Sequence, residues 1–148
     1  MARIKLHLPK KFFFQTIIPV RITDINYGGH VGNDKILSLI HEARMRFLQH
    51  YGYTELQMEN VGLIMSDVAI EFKAELFYGD SITVDVTADE FTRVGFDIYY
   101  QILSLKDKTV VAIAKTAMIC FDYSLRKIVG LPEAAKLKLS HSIVPDIP

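Results

Sequence analysis

The spacing of hydrophobic positions changes twice along this chain. Residues 12–22, F-F-F-Q-T-I-I-P-V-R-I, are rich in aromatic and β-branched types and predict a strand, with Pro19 suited to an edge or a bulge because it has no N–H to give a ladder. Over residues 34–51 the pattern becomes helical, with Ile36, Ile40, Ala43, Phe47 and Tyr51 recurring at spacings of three and four. Leu37, Leu39 and Leu48 widen that stripe, so most of this helix is expected to be buried. Asn33 or Asp34 is placed to cap its start and Gly52 to end it. At 1.5 Å per residue such a helix runs roughly 27 Å.

Beyond residue 61 the period falls to two. In V-A-I-E-F-K, Val68, Ile70 and Phe72 alternate with Ala69, Glu71 and Lys73; in S-I-T-V-D-V-T, Ile82, Val84 and Val86 alternate with Thr83, Asp85 and Thr87. Each is the pattern of a half-buried strand, and Gly79 and Asp80 mark the turn between them. A further strand is predicted over about 94–105, with Val94, Phe96, Ile98, Tyr100 and Ile102 on one face. Residues 106–108 form a hairpin turn, and the strand at 109–121 is apolar on both faces, as a central strand or one at a subunit contact would be. Residues 54–61 read as a loop or short helix, and the tail around Gly130, Leu131 and Pro132 as a loop with one helical turn. One strand, one long helix and four antiparallel strands make an α+β domain with a five-stranded sheet. Such a sheet leaves one side of the helix without a cover, which points to burial by a partner subunit.

Length and charge narrow the classes. A chain of 148 residues suits a single domain. Lys plus Arg and Asp plus Glu number 17 each, without a long run of one sign, which argues against a generic nucleic-acid binder. Cys120 is the one cysteine, so an intramolecular disulfide is impossible and a reducing compartment is the default. Its place in an apolar strand favours an inert core thiol over a nucleophile. The N-terminus M-A-R-I-K-L-H-L-P-K-K has no apolar signal-peptide core, and no apolar run approaches the ~20 residues of a bilayer span. A soluble, cytoplasmic protein is expected.

The chemistry concentrates in T-D-I-N-Y-G-G-H-V-G-N-D, between the first strand and the helix. Asp24, Asn26, His30 and flexible backbone at Gly28, Gly29 and Gly32 meet a helix N-terminus, whose unpaired N–H groups and partial positive charge suit a developing oxyanion. The glycines permit close substrate approach and positive φ. Asp24 suits a general base or a direct nucleophile, or else the cap of a turn at a strand end. His30 suits a donor to a carbonyl or a shared base, or else a packed residue that shapes the loop. Asn33 and Asp34 are expected to cap the helix and to line the site. His41 and Glu42, mid-helix, need a partner or a cleft; Glu42 is either ion-paired, with Arg44 or a lysine across an interface, or a catalytic acid. His41 and His50 do not form an H-E-x-x-H zinc site, since position 45 is Met, and neither a P-loop nor a dinucleotide glycine set is present. Neither metal nor cofactor is expected.

The element order and this loop resemble the hot-dog fold, and the chain is similar to the acyl-CoA thioesterases of the 4-hydroxybenzoyl-CoA thioesterase-like superfamily. The resemblance covers about residues 12–132. The family signature D-x-D-x-x-G-H-V-N-N stands here as Asp24, Asn26, Gly29, His30, Val31, Gly32 and Asn33, and F-E-x-A-R is met by His41, Glu42, Ala43 and Arg44. Glu71 in I-E-F-K-A-E, Gly79 with Asp80, and F-D-Y-S-L-R-K-I-V-G-L-P at 121–132 also fit the family habit. Asn26 replaces the second Asp, Gly32 one Asn, and His41 the first Glu of the helix motif. The resemblance therefore implies hydrolysis of an acyl-CoA or acyl-carrier-protein thioester, with the carboxylate drawn from Asp24, Asp34 or Glu42. It implies a site between subunits in a homodimer or homotetramer. Arg93, Lys106, Lys108, Arg126 and Lys127 are candidates for the coenzyme A phosphates. Two rivals follow from the same residues. Asp24-Ile25-Asn26 also starts the D-x-N-P-x-H motif of hot-dog enoyl-CoA hydratases, although Tyr27 replaces the Pro and His30 falls one residue late. Asn26 alternatively marks an acyl-thioester binding protein that has lost its base.

Overall fold

The computed structural model describes residues 1–141. Strand β1 (Phe14–Pro19) leads through a 3-10 turn at Ile22–Asp24 and a loop into helix α1 (Asn33–His50). Strands β2 (Gly62–Phe72), β3 (Ser81–Asp89), β4 (Gly95–Ser104), β5 (Val110–Asp122) and β6 (Lys127–Ile128) follow, then helix α2 (Glu133–Leu139). The strands form one antiparallel sheet in the order β1-β3-β4-β5-β2, with β6 on β5. Among the described residues it has six strands rather than five. The extra one, β6, has two residues, too few for any periodicity to show.

Period-two alternation places Ile82, Val84 and Val86 of β3, and Phe96, Ile98, Tyr100 and Ile102 of β4, on the face that packs against α1; all are buried. Strand β5 is central, between β4 and β2. Three boundaries depart from the pattern. Strand β1 is shorter than 12–22, because Pro19 cannot extend the ladder and the chain coils into the 3-10 turn. Strand β2 starts at Gly62, ahead of the readable alternation, because a bulge between Met65 and Asp67 breaks the period. The tail forms the seven-residue α2 rather than one turn, with Ala135 and Leu139 completing the core.

Helix α1 has 18 residues, and it is more amphipathic than its leucines suggest. Ile36, Leu39, Ile40, Ala43, Arg44, Phe47 and Leu48 are buried, whereas Asp34, Ser38, His41, Glu42 and Gln49 form an exposed polar face. Its end is a paired-carbonyl stop: Gly52 (φ 83) donates to the Gln49 carbonyl at 2.9 Å and Tyr53 to that of Leu48 at 2.8 Å. Its start differs from expectation. The cap residue is Gly32, without a side-chain cap bond, and neither Asn33 nor Asp34 takes that place. The Asp34 carboxylate instead folds back over Gly32, where its Oδ1 lies 2.6 Å from the position a Cβ would occupy. A side chain at position 32 would displace that carboxylate.

Candidate active site

The loop before α1 is held from three directions. Asn26 Oδ1 accepts the Gly28 N–H at 2.9 Å and the His30 N–H at 3.4 Å, and the Asn26 N–H donates to the His30 carbonyl at 2.8 Å. Asn26 thus closes the turn, which passes through Gly29 at φ 85; Gly29 is the one loop glycine in the left-handed region. Asp24 is 2% exposed. Its Oδ2 accepts the Arg21 N–H at 2.9 Å, its carboxylate meets the Arg21 guanidinium at 3.5 Å, and its carbonyl accepts the Gly32 N–H at 3.3 Å. Finally, buried Val31 donates to the Leu76 carbonyl at 2.8 Å, which clamps residues 73–76, just beyond β2, against the loop.

That clamp forms a cleft of about 260 Å³ at the start of α1, lined by His30, Val31, Asn33, Ile36, Phe72, Lys73, Ala74, Glu75 and Leu76. Ile36, Phe72 and Leu76 make an apolar wall. The N–H groups of Asn33 and Asp34 have no acceptor among the described residues, as the first turn of a helix dictates. His30 Nδ1 lies 3.1 Å from the Val31 carbonyl, so the neutral ring carries its proton there and leaves Nε2 with a lone pair. Nε2 stands 4.0 Å from Glu75 Oε1.

The structure therefore brings His30, Val31 and Asn33 together at the cleft and leaves other candidates apart. Gly28 and Gly29 shape the turn, and Gly32, with the Asp34 carboxylate over it, caps α1 without lining the cleft. Asp24 lies behind the loop and does not line the cleft. Glu42 is nine residues past the start of α1, about 13 Å along its axis. It faces outward and accepts from Arg46 Nε at 3.0 Å, while Arg46 Nη1 ties α1 to β1 through Thr16 Oγ1 (2.9 Å) and the Ile17 carbonyl (2.8 Å). Glu75 is the acid the sequence did not single out. The end of alternation after Phe72 signalled a non-strand segment, but nothing local pointed it toward His30.

A separate polar chain runs inward from the middle of α1. His41 Nε2 is 3.2 Å from Glu55 Oε1, which also accepts from Arg44 Nε at 2.8 Å. Arg44 Nη1 donates to Tyr100 Oη at 3.4 Å, and the Tyr100 hydroxyl pairs with Thr116 Oγ1 at 2.8 Å. Burial pushes the Tyr100 phenol up, and the nearby guanidinium only partly opposes it. Burial works against the Arg44 charge, but Tyr100 and Glu55 hold its pKa above the ordinary value. Among the described residues no cluster of His, Cys, Asp and Glu is arranged to hold a metal, and no helix is long and apolar enough to cross a membrane.

Comparison with known proteins adds three observations. The family model described as the thioesterase-like superfamily matches residues 20–139. A 1,4-dihydroxy-2-naphthoyl-CoA hydrolase from Microcystis aeruginosa is 30% identical over 120 residues, covering 79% of this chain and 86% of that protein. Among solved structures, a 1,4-dihydroxy-2-naphthoyl-CoA thioesterase from Synechocystis superposes with a TM-score of 0.79 at 22% identity, covering 91% of this chain and 98% of that one. A DHNA-CoA thioesterase from Staphylococcus aureus does so at 0.72 and 18% identity, covering 79% of each chain.

Proposed function

We propose a mechanism for this chain, which belongs to the thioesterase-like superfamily and is a thioester hydrolase. The substrate is an acyl-CoA, the fold is the hot-dog arrangement of α1 against the sheet, and the reaction runs in the cleft beside His30. The thioester carbonyl oxygen accepts the N–H groups of Asn33 and Asp34. These are fixed dipoles that strengthen their hold as the oxygen gains charge. His30 Nε2 takes a proton from a water, which attacks the carbonyl carbon. Glu75, 4.0 Å away, favours the imidazolium that results. Collapse of the tetrahedral oxyanion breaks the C–S bond, and His30 returns its proton to the departing thiolate. Free acid and coenzyme A are the products.

The observation that carries this reading is that the first turn of α1, with its unpaired amides, and the His30 imidazole stand at one apolar-walled cleft. Asp24 and Asn26 position the loop that delivers His30. The wall of Ile36, Phe72 and Leu76 suits a compact aromatic acyl group, in keeping with the aromatic acyl-CoA named for the Microcystis relative. We also propose a homodimer. The free edge of β2 exposes Met65 and Val68, and Phe72 at its end is 49% exposed although it lines the cleft, so a second copy along β2 would finish the wall.

The test is thiol release from a panel of aryl- and alkyl-CoA substrates. His30→Ala is expected to lower kcat by about 10²–10⁴-fold with the fold intact. Asp24→Asn keeps the acceptor for the Arg21 N–H and is expected to stay within a few-fold of the parent. Loss of turnover in Asp24→Asn with His30→Ala active would assign the base to Asp24 and overturn the mechanism. Tight acyl-CoA binding without turnover on any substrate would instead support the binding-protein alternative.

A further inference from the structure

We propose that the N-terminal segment forms the anion end of the substrate groove, with Arg3 and Lys73 binding the phosphates of the coenzyme A nucleotide. This rests on the acyl-CoA reading above. Residues 1–11 carry Arg3, Lys5, Lys10 and Lys11 and neither Asp nor Glu, in a chain whose formal net charge is zero. From Arg3 to Leu8 the types alternate, with Ile4, Leu6 and Leu8 on one side and Arg3, Lys5 and His7 on the other. Leu6 and Leu8 are half-buried, and the three basic residues are exposed. The extended segment thus lies with its apolar side inward at Leu6 and Leu8 and its cations outward, while Ile4, beside Arg3, is exposed.

Its course follows from the sheet. The Leu6 N–H donates to Glu71 Oε2 at 2.7 Å, on the β2 edge, while β1 at the opposite edge begins at Phe14. Register pairs Gln15 with Asp85, Asp85 with Gln101, Gln101 with Ile113 and Ile113 with Glu71, so Gln15 and Glu71 end one row of the sheet. Four strand spacings of about 4.8 Å put them roughly 19 Å apart. The residues between Leu6 and Phe14 reach about 26 Å when extended, enough to cross. Glu71 alternates with Ile70 and so faces away from α1; the segment therefore straps the outer face. Pro9, Lys10, Lys11 and Phe13 lie around Thr87, which points outward yet is 1% exposed.

The strap ends beside the cleft. A groove of about 580 Å³ is lined by Ala2, Arg3, Ile4, Ile70, Glu71, Phe72 and Lys73, and it shares Phe72 and Lys73 with the cleft at His30. The cleft has a second exit past Ala74, Glu75 and Leu76, toward Asp80, Lys106 and Asp107. Charge decides between them. The second exit holds three carboxylates, Glu75, Asp80 and Asp107, against the single cation Lys106, a negative balance, whereas the first holds two cations against one carboxylate. The first holds Arg3 and Lys73 against Glu71, whose carboxylate is occupied by the Leu6 N–H and by Lys73 at 3.6 Å. Arg3 has no ion pair among the described residues, so its guanidinium fork is free for a phosphate.

The test compares an acyl-CoA with the same acyl group on pantetheine, which lacks the nucleotide, and adds calorimetry with adenosine 3′,5′-bisphosphate. Arg3→Glu is expected to raise KM for the acyl-CoA about tenfold, to leave kcat and the pantetheine substrate unchanged, and to weaken the bisphosphate by a similar factor. Lys11→Glu, an equal charge reversal farther along the strap, is expected to change neither. An unchanged bisphosphate affinity in Arg3→Glu overturns the assignment whether or not the protein hydrolyses thioesters. So does an equal effect of Lys11→Glu, or a rise in KM with Lys106→Glu but not with Arg3→Glu. Absence of hydrolysis with bisphosphate binding still sensitive to Arg3 would count against the hydrolase mechanism alone.

Discussion

Removing Glu55 should damage the fold more than removing Glu55 and Arg44 together. Arg44 is 5% exposed, and among the described residues its one close anion is Glu55 Oε1 at 2.8 Å. Tyr100 Oη, at 3.4 Å, gives the guanidinium a hydrogen-bond acceptor but, as a neutral phenol, no counter-charge. Glu55→Ala leaves a buried guanidinium without a counter-charge, a situation that costs about 3–5 kcal/mol. Arg44→Met removes one charge-assisted hydrogen bond, worth about 1.5–3 kcal/mol. The methionine fills most of the volume, and Glu55 is part-exposed and keeps His41 at 3.2 Å, so no stranded charge is added. Its expected cost is about 2 kcal/mol. The double variant lacks both charges and should also sit near 2 kcal/mol, more stable than Glu55→Ala alone. Urea denaturation of the four proteins, with m held constant, reads these differences directly. Additive losses, with the double variant the least stable, would show that Arg44 finds its compensation elsewhere and would refute the argument.

Three more predictions rest on single features. A Cβ at Gly95 would collide with the Met118 carbonyl oxygen of the paired strand, with the Met118 carbonyl carbon at 3.1 Å, so Gly95→Ala should cost about 3 kcal/mol and roughly 10 °C in Tm by calorimetry. Burial pushes the Cys120 thiol up to about 11, so it stays protonated at neutral pH; a thiol reagent should label the unfolded chain and spare the native one. The Leu6 N–H holds the Glu71 carboxyl below its ordinary value of 4.5. A depressed folded pKa means that this anchor is complete above 4.5 and is lost as pH falls through the lower value, so the Leu6 amide proton shift should titrate with a midpoint below 4.5; a midpoint above it would contradict the strap's attachment.

What the sequence alone determined is what backbone periodicity encodes. The alternation of Ile82, Val84 and Val86, and of Phe96 to Ile102, set both strands and their inner faces, because a pleated chain turns each side chain by half a revolution. The stripe from Ile36 to Phe47 and the glycine at 52 bounded α1, because only a left-handed residue closes that end cheaply. The crowding of Asp24, Asn26, His30 and glycines before a helix singled out the loop that folds beside the cleft. Tertiary structure decided which of those groups face the cleft. Asp24 turned inward to Arg21 while His30 turned outward, because the Val31 bond to Leu76 fixed the loop against a segment more than forty residues away. The same bond supplied Glu75. Basic residues of the strap and Lys73 met because β1 and β2 end up on opposite edges of one sheet, an order set by which strands pair and not by any local pattern.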